Sequence, residues 1–570
     1  MKSRSDSNVC RCPVLLVVLL ALALCPVGLR QAAAADIRVP NIGSAIQESQ
    51  SARPMPQPKQ EQPDIVKQNG QAAPGDQNGP TIFVKDFKLE NVEYLPEADI
   101  QKVLEPFKNR QLTMAQLEEA TRAVTDLYRK KGYTVAKAYL PKQSIAEGIV
   151  VIRILVGTYS PSSSENKSLV RDWLINKSLA SNLPEGEPVR RSDLERAVLL
   201  IADMPGAGMP TLNIGPGQQP GTTEVFTQVP KGKRFSGYLM GDNMGSRYTG
   251  RLRFGGGIDV NSPFGIADKL SVYSLVTGTT GLVNYGGEYA FPLSPNGLRL
   301  ALGYSHVYYE LGQEFKDLDA SGSADIFQAT VTYPLIRSGA RNLSLYLNAA
   351  HKAMGNNYAA FDVMKNTESS VGKVGLVYET WTTLLGRPLY TRLGGYVTGG
   401  QLYYMSGEDY DSRETEGWFS YGSLEFLSSL SLTEHWSLTA SGNGQQAFGK
   451  NLDSSEQIIV TGLRGVKAYS ENVGGDNGYT LNAELKYKLP NILKWEHALG
   501  GFIDYGEWSY ERAPFPDPHS GDMTDIGLGY YAKFGLFSGK VQLVQGLGDY
   551  PTGLKKESQT VVCTTLMLSF

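Results

Sequence analysis

The sequence predicts two small α+β domains of β-α-α-β-β order, followed by a 16-stranded antiparallel transmembrane β-barrel over residues 232–570. Three observations predict this fold class. A short apolar segment typical of exported proteins lies near the N-terminus. The apolar residues then recur with a helical period as far as Lys231 and with a period of two beyond it. The period-two segments are long, as strands that cross a bilayer must be.

The composition excludes several classes of function. With 570 residues the chain is too long for one compact domain, and its net charge of −3 gives no electrostatic reason to expect a nucleic-acid partner. Glycine and tyrosine are abundant (62 and 31), whereas the 5 histidines lack the spacing of metal ligands. No nucleotide-binding loop and no nucleophile motif is present. We therefore predict no catalytic residue, no metal site and no cofactor.

Residues 1–35 read as a signal peptide. Lys2, Arg4 and Arg11 precede an apolar run at 13–24, and small residues follow at 32–35. The run is too short to span a membrane comfortably. Cleavage near Ala35 would remove three of the four cysteines, so no internal disulfide is expected.

Residues 36–79 carry weak structural signals. Residues 36–53 are compatible either with a short helix capped by Asn41 or with a disordered tail. Residues 54–79 are rich in proline, glutamine, glycine and aspartate and nearly lack large apolar side chains, which predicts a flexible linker.

The first domain is predicted at residues 80–157. Thr113 and Gln116 form a capping box that opens its longer helix, and Gly132 ends that helix. A strand precedes the helices and two β-rich runs follow them, which gives the order β-α-α-β-β.

The second domain is predicted at residues 158–231 and has a similar order. Ser192 and Glu195 suggest another capping box, and short strands are expected at 209–214 and 224–229. Two small domains of like order in tandem suggest an internal duplication.

Beyond Lys231 apolar and polar residues alternate, as in 298–304 and 479–489. A soluble β-sandwich would also alternate, but the length of the strands and the aromatic residues at their ends favour a membrane barrel. Sixteen strands are predicted, with starts near residues 234, 248, 269, 283, 297, 324, 342, 366, 387, 416, 431, 478, 497, 523, 538 and 559.

The final segment places Leu566, Leu568 and Phe570 on one apolar face. This ending resembles the signal by which the barrel-assembly machinery recognises its clients. We therefore expect the barrel-assembly machinery as a partner during biogenesis and the lipid of the outer membrane as a partner of the mature barrel.

A long connection at residues 447–477 carries the candidate functional site. It holds Arg464 and Gly465, and two strands further on Phe502, Asp504 and Gly506 share the face that points into the lumen. A guanidinium can bind a carboxylate through two parallel hydrogen bonds, and a glycine leaves room for a neighbouring backbone. If the loop folds inward, Arg464 is predicted to bind Asp504 and hold the loop inside the barrel.

These motifs carry a resemblance to a known family. The Arg-Gly loop with the Phe-x-Asp-x-Gly strand resembles the two-partner-secretion transporters (the haemolysin secretion/activation family), and the two modules resemble POTRA domains. The likeness spans about residues 80–570, and further matching segments are 131–133, 138–141, 200–206, 242–243 and 249–250. The family's Val-Arg-Gly-Tyr becomes Leu-Arg-Gly-Val here, so its aromatic residue is either displaced to Tyr469 or lost. A plug helix of the family type would map to residues 41–53.

The resemblance implies an outer-membrane transporter with periplasmic POTRA domains. Such a protein exports an unfolded partner exoprotein, which docks on the POTRA domains and threads the barrel to the cell surface. The alternative is an assembly factor that inserts other barrels, although such a factor would usually carry more than two POTRA domains. A passive diffusion pore would need none.

Overall fold

A computed structural model of the chain describes residues 39–51, 64–67, 80–145, 147–405, 413–469, 471–512, 519–548 and 559–570. The predicted signal peptide at residues 1–35 lies outside these ranges, as does most of the predicted linker. Within them, no α-helix combines the length and the hydropathy needed to traverse a bilayer.

Two short elements precede the first domain. Helix α1 is Ile42–Ser51, and the Asn41 side chain caps it by accepting a hydrogen bond from the Ser44 N–H at 3.2 Å. Strand β1 is Asp64–Lys67, within the segment predicted to be a flexible linker. The linker prediction is wrong for these four residues, because they pair in parallel with a strand of the second domain. Such pairing needs backbone groups only, which is why side-chain composition does not reveal it.

The first α+β domain follows. Its elements are β2 (Thr81–Val84), β3 (Asp86–Glu90), α2 (Glu97–Leu104), a 3₁₀ turn (Glu105–Phe107), β4 (Arg110–Thr113), α3 (Met114–Lys130), β5 (Lys137–Tyr139) and β6 (Ile149–Leu155). Strands β3, β6 and β5 form one sheet, and the helices pack their apolar faces against it. The predicted capping box is present at α3, where the Gln116 N–H donates to the Thr113 hydroxyl at 3.3 Å. Short β4, paired with β2, is an addition to the predicted order.

The second α+β domain lies between the first domain and the barrel. Its elements are β7 (Thr158–Tyr159), β8 (Ser163–Asn166), α4 (Asp172–Asn182), α5 (Arg191–Ala202), β9 (Thr211–Pro216) and β10 (Thr222–Val229). The predicted Ser192–Glu195 capping box is wrong. Helix α5 begins at Arg191, two residues earlier than that box requires, and the Glu195 carboxylate accepts a hydrogen bond from Arg191 Nε at 2.8 Å.

The remaining chain forms a closed barrel of sixteen antiparallel strands, which confirms the barrel of the predicted fold class. The barrel strands are β11 (Phe235–Asp242), β12 (Arg253–Asn261), β13 (Lys269–Thr277), β14 (Leu282–Pro292), β15 (Arg299–Glu310), β16 (Ala320–Arg337), β17 (Arg341–Tyr358), β18 (Val363–Leu384), β19 (Arg387–Tyr404), β20 (Gly417–Ser431), β21 (Trp436–Ala447), β24 (Asn477–Ile492), β25 (Trp495–Ser509), β26 (Ser520–Phe534), β27 (Phe537–Leu547) and β28 (Thr560–Ser569), while β22 (Ile458–Ile459) and β23 (Gly474–Gly475) lie in the loop between β21 and β24. Each barrel strand begins within five residues of its predicted start.

The barrel wall shows the two faces that the alternation predicted. On β25, Leu499 and Ile503 are exposed on the outer surface, whereas Phe502 and Asp504 are buried towards the lumen. The connections at one end are tight turns, such as 385–386 and 535–536, and those at the other end are longer. Short turns on one side and long loops on the other are typical of outer-membrane barrels.

The second domain docks on the end with the short turns. Arg337 of β16 donates to both carboxylate oxygens of Asp203, at 2.6 and 2.8 Å. The Ser262 hydroxyl donates to the carbonyl of Pro205 at 2.7 Å. These contacts place the domain against the mouth of the barrel.

Strand β28 closes the barrel by pairing with β11. The N–H of Phe570 donates to the Gly237 carbonyl at 3.0 Å, and the Gly237 N–H donates back to the Phe570 carbonyl at 3.1 Å. Leu566 and Phe570 are exposed on the outer face, which is the face predicted for them.

Candidate functional site

The connection between β21 and β24 folds back into the barrel lumen. Its two arms pair through β22 and β23, where Ile458 lies opposite Gly475. The Thr461 hydroxyl donates to the Glu471 carbonyl at 2.5 Å and accepts from the Val473 N–H at 3.0 Å, which closes the base of the tip. Residues 448–476 are called the inward loop below.

A tight turn forms the tip of the inward loop. The Val466 N–H donates to the Val460 carbonyl at 2.9 Å, and the Gly462 N–H donates to the Val466 carbonyl at 3.0 Å. Gly462 has a φ of +83°, and a Cβ on Gly465 would lie 2.0 Å from the Val460 carbonyl oxygen. The glycine of the Arg-Gly motif is therefore required by the close approach of two backbone segments.

Asp504 lies on the wall opposite this tip and is 1% exposed. Its carboxylate forms a buried ion pair with Lys467 of the loop and accepts a hydrogen bond from Asn482 Nδ2 at 2.7 Å. The Lys467 ammonium also lies 4.7 Å from the centre of the Phe502 ring, within the range of a cation–π contact. Asn482, on the neighbouring strand β24, reaches the Gly465 carbonyl at 3.3 Å as well. Loop and wall are thus joined by charge and by hydrogen bonds.

The cation at Asp504 corrects the pairing expected from the sequence. The ion pair comes from Lys467, three residues beyond the predicted Arg464. The turn around Gly465 directs Lys467 towards β25. Arg464 instead lines the same lumen cavity of about 820 Å³, where the Glu425 carboxylate attracts its guanidinium. The sequence placed the anionic residue on the wall, but the choice between two cations depends on the shape of the turn.

Asp525 is a site residue that the sequence argument missed. It lies directly opposite Asp504 in the register of β25 and β26, and it is fully buried. Its Oδ2 accepts a hydrogen bond from the N–H of Ala468 at 2.8 Å. The consecutive loop residues Lys467 and Ala468 thus bind two wall carboxylates that face each other on neighbouring strands. The signal was present, because Asp525 follows the inward parity of its strand.

The other predicted site residues surround this contact. Phe502 and Tyr469 are buried in one apolar cluster with Val460 and Val466 of the loop. A Cβ on Gly506 would lie 3.0 Å from the Val460 carbonyl oxygen, so this position admits the loop backbone closely. Tyr469 is 1% exposed, and its hydroxyl lies beside Gly546 on β27.

Helix α1 fills part of the remaining lumen. Ile42, Ala45 and Ile46 pack on the inner wall. The Glu48 carboxylate accepts a hydrogen bond from the Ser246 N–H at 3.0 Å and lies 3.8 Å from Arg253. The helix predicted weakly at residues 36–53 is thus a buried element of the barrel interior.

Across the described ranges, no three histidine, cysteine, aspartate or glutamate side chains are grouped so as to hold a metal ion. Several buried charges of the lumen form ion pairs, as Lys467 does with Asp504 and Arg253 does with Asp242. The arrangement is suited to holding a polypeptide segment inside a channel.

The family model described as "Haemolysin secretion/activation protein ShlB/FhaC/HecB" matches residues 221–521, and the model of the ShlB-type POTRA domain matches residues 82–157. The chain belongs to the haemolysin secretion/activation family. The heme/hemopexin transporter protein HuxB of Haemophilus influenzae (strain 86-028NP) is 24% identical over 437 residues, which cover 76% of each chain. The outer membrane transporter CdiB of Dickeya dadantii is 21% identical over 72% of this chain and 73% of that protein. The structure of CdiB from Escherichia coli superposes with a TM-score of 0.71 at 20% identity, covering 88% of this chain and 93% of that one.

Membership of this family confirms the recognition made from the loop and strand motifs. The protein is a transporter of the outer membrane, with its POTRA region on the periplasmic side. Its predicted function in two-partner secretion is confirmed in preference to the barrel-assembly alternative. The named relatives are transporters.

The close packing at Gly465 generates a test. Gly465→Ala would drive a methyl group into the Val460 backbone, so the tip must rearrange, at a cost on the order of 1–3 kcal/mol. We expect faster hydrogen exchange at the amides of Val466 and Ala468 in the purified protein. Gly501→Ala is the matched control, because a Cβ there meets no atom closer than 3.8 Å. Equal exchange in both variants would contradict the packing argument.

Proposed function

We propose that the protein exports its partner exoprotein as an unfolded chain that passes through the lumen now filled by the inward loop and helix α1. The observation that carries this proposal is the way the lumen is closed. Loop and helix are held there by ion pairs, hydrogen bonds and apolar packing, all of which can break and re-form. A barrel of sixteen strands encloses an aqueous channel wide enough for an extended chain once such elements leave.

We assign reception of the cargo to the two α+β domains, and we assign the second one, residues 158–231, as a second POTRA domain because it repeats the two-helix-and-sheet construction of the first. Strand β2 of the first domain exposes Ile82 and Phe83. An exposed strand edge flanked by apolar side chains can add an extended peptide as a further strand. Cargo bound there would stay unfolded before it enters the barrel.

We assign the latch of the channel to the contact between the loop tip and the wall. Lys467 and Asp504 form its charged part, with Asn482 and Phe502 around them and Gly465 and Gly506 allowing the approach. Arg464 and Tyr469 belong to the same tip. Removing one partner of a buried ion pair costs about 3–5 kcal/mol, because the other charge stays buried without compensation.

We further assign Leu566, Leu568 and Phe570 to the assembly of the barrel in outer-membrane lipid, as the signal read by the barrel-assembly machinery. These residues support insertion of the protein and take no part in what passes through it.

The cargo itself can be tested genetically. Genes of a transporter and its exoprotein are commonly adjacent, so the product of the neighbouring reading frame should be produced with and without this chain. We expect protease-accessible cargo on intact cells only when the transporter is present. Equal surface exposure in its absence would contradict the proposal. Loss of unrelated barrels from the outer membrane would instead favour an assembly factor.

The latch can be tested by charge substitution. Lys467→Ala leaves Asp504 buried without its cation, and we expect export to fall at least tenfold while the barrel still migrates as a folded species in gels run without heating. Lys467→Asp combined with Asp504→Lys should recover part of the export. Arg464→Ala is the comparison. If export depends on Arg464 and is indifferent to Lys467, the assignment of the latch cation is overturned.

A further inference from the structure

A second buried carboxylate fixes the inward loop at another place. Glu456 precedes β22 and is 5% exposed. Its Oε1 accepts a hydrogen bond from Lys352 Nζ at 2.5 Å, and its Oε2 accepts one from the Tyr421 hydroxyl at 2.8 Å. Both carboxylate oxygens are therefore bound by side chains of the barrel wall, and Lys352 lies 104 residues away along the chain.

The two anchoring points lie on different parts of the wall. Lys352 belongs to β17 and Tyr421 to β20, whereas Asp504 belongs to β25. Along the ring, β17 and β25 are separated by six strand steps, through β18, β19, β20, β21 and β24, in a barrel of sixteen strands. The inward loop thus bridges the lumen from one wall to another.

The segment around Glu456 also holds helix α1. Gln47 Nε2 donates to the carbonyls of Ser454 and Gln457, at 2.8 and 2.5 Å. A Cβ on Gly43 would lie 2.2 Å from Ser454 Oγ, so helix and loop are in direct contact along this line. A movement that withdraws Glu456 from the wall must also disturb the seat of the helix.

The negative charge of Glu456 compensates lysine ammonium groups on the lumen side of the wall. Lys352 and Lys373 both lie on the lumen side near it, and the Glu456 carboxylate attracts Lys373 as well. In the part of the chain that the structure describes, Glu456 is the acidic residue that pairs with Lys352, so without this carboxylate the Lys352 ammonium would remain buried and unpaired. The cost of such an unpaired charge strongly favours the position in which the loop supplies Glu456.

We propose that Glu456 is a positioning residue for transport, a second anchor that holds the inward loop and helix α1 to the β17–β20 wall. The channel opens fully only when the contact at Asp504 and the contact at Glu456 are both broken. This inference rests on the proposed function, in which the loop and helix vacate the lumen for the cargo.

The experiment measures ionic current through the purified full-length protein in planar lipid bilayers. Glu456→Gln keeps an acceptor for the Tyr421 hydroxyl but removes the charge that Lys352 needs. We expect the fraction of time in conducting states to rise about tenfold. Lys352→Glu should have the same effect, and Lys352→Glu combined with Glu456→Lys should return the current towards the wild-type level. Asp362→Asn, a carboxylate-to-amide change at an exposed outer turn with φ of +55°, is the matched control.

A general loss of packing would raise the current in both single variants and in the double variant. Recovery in the double variant therefore distinguishes an anchor from a merely structural residue. Wild-type current in Glu456→Gln, or no recovery in the double variant, overturns the proposal. The current is measured without cargo, so failure of the Glu456 proposal can be distinguished from failure of the proposed function. The proposed function fails if the wild-type chain exports no cargo.

Discussion

The buried ion pair between Lys467 and Asp504 is the interaction on which the arrangement of the lumen depends. A barrel of sixteen strands is too wide for its own side chains to fill, so the chain fills it with a loop and a helix. A buried pair of charges adds little net stability over an apolar contact, but half of such a pair is costly. Positions in which the two charges are buried but separated are therefore strongly disfavoured. The loop tip lies either against the wall, with the ion pair formed, or well away from it.

Several neighbouring contacts make sense only in relation to this pair. Asn482 donates hydrogen bonds to both the Asp504 carboxylate and the Gly465 carbonyl, so one wall residue binds both the charged group and the backbone of the turn. The N–H of Ala468 binds Asp525, the cross-strand neighbour of Asp504. Gly465 and Gly506 remove the side chains that would keep loop and strand apart. Specific placement here comes from polar contacts, and an apolar cluster that includes Phe502, Val460 and Val466 packs beside them.

The barrel could be predicted from the sequence because each strand carries its own signal. An outward Leu499 or Ile503 beside an inward Phe502 or Asp504 is a local pattern of period two, and it repeats in every strand. The capping box at Thr113 is equally local. The Ser192–Glu195 box failed because helix α5 begins at Arg191, so Ser192 lies inside the helix and not at its N-cap. Strand β1 was missed because its partner lies far away in the chain.

The site was predictable only in part, for the same reason. Period two indicated that Asp504 and Gly506 face the lumen. The choice of Lys467 over Arg464 is made by the backbone hydrogen bonds that shape the turn between Val460 and Val466. The period of two marks Asp525 as facing the lumen, but its partner, the N–H of Ala468, is brought near only by the folded loop. Glu456 lies in the loop, where no strand period applies, and its partners Lys352 and Tyr421 are brought near only by the closed barrel.

The central claim is that the loop tip must leave the wall for cargo to pass. Ala468 Cβ lies 3.3 Å from the position that a Cβ at Gly546 would take, close to the separation of about 3.5–4.5 Å across a disulfide. A chain with Ala468→Cys and Gly546→Cys, in a Cys563→Ser background, should therefore lock the tip to β27 and leave the charge pair intact. Export by the oxidised chain should stop and return when the disulfide is reduced. Undiminished export from the fully oxidised chain would contradict the account.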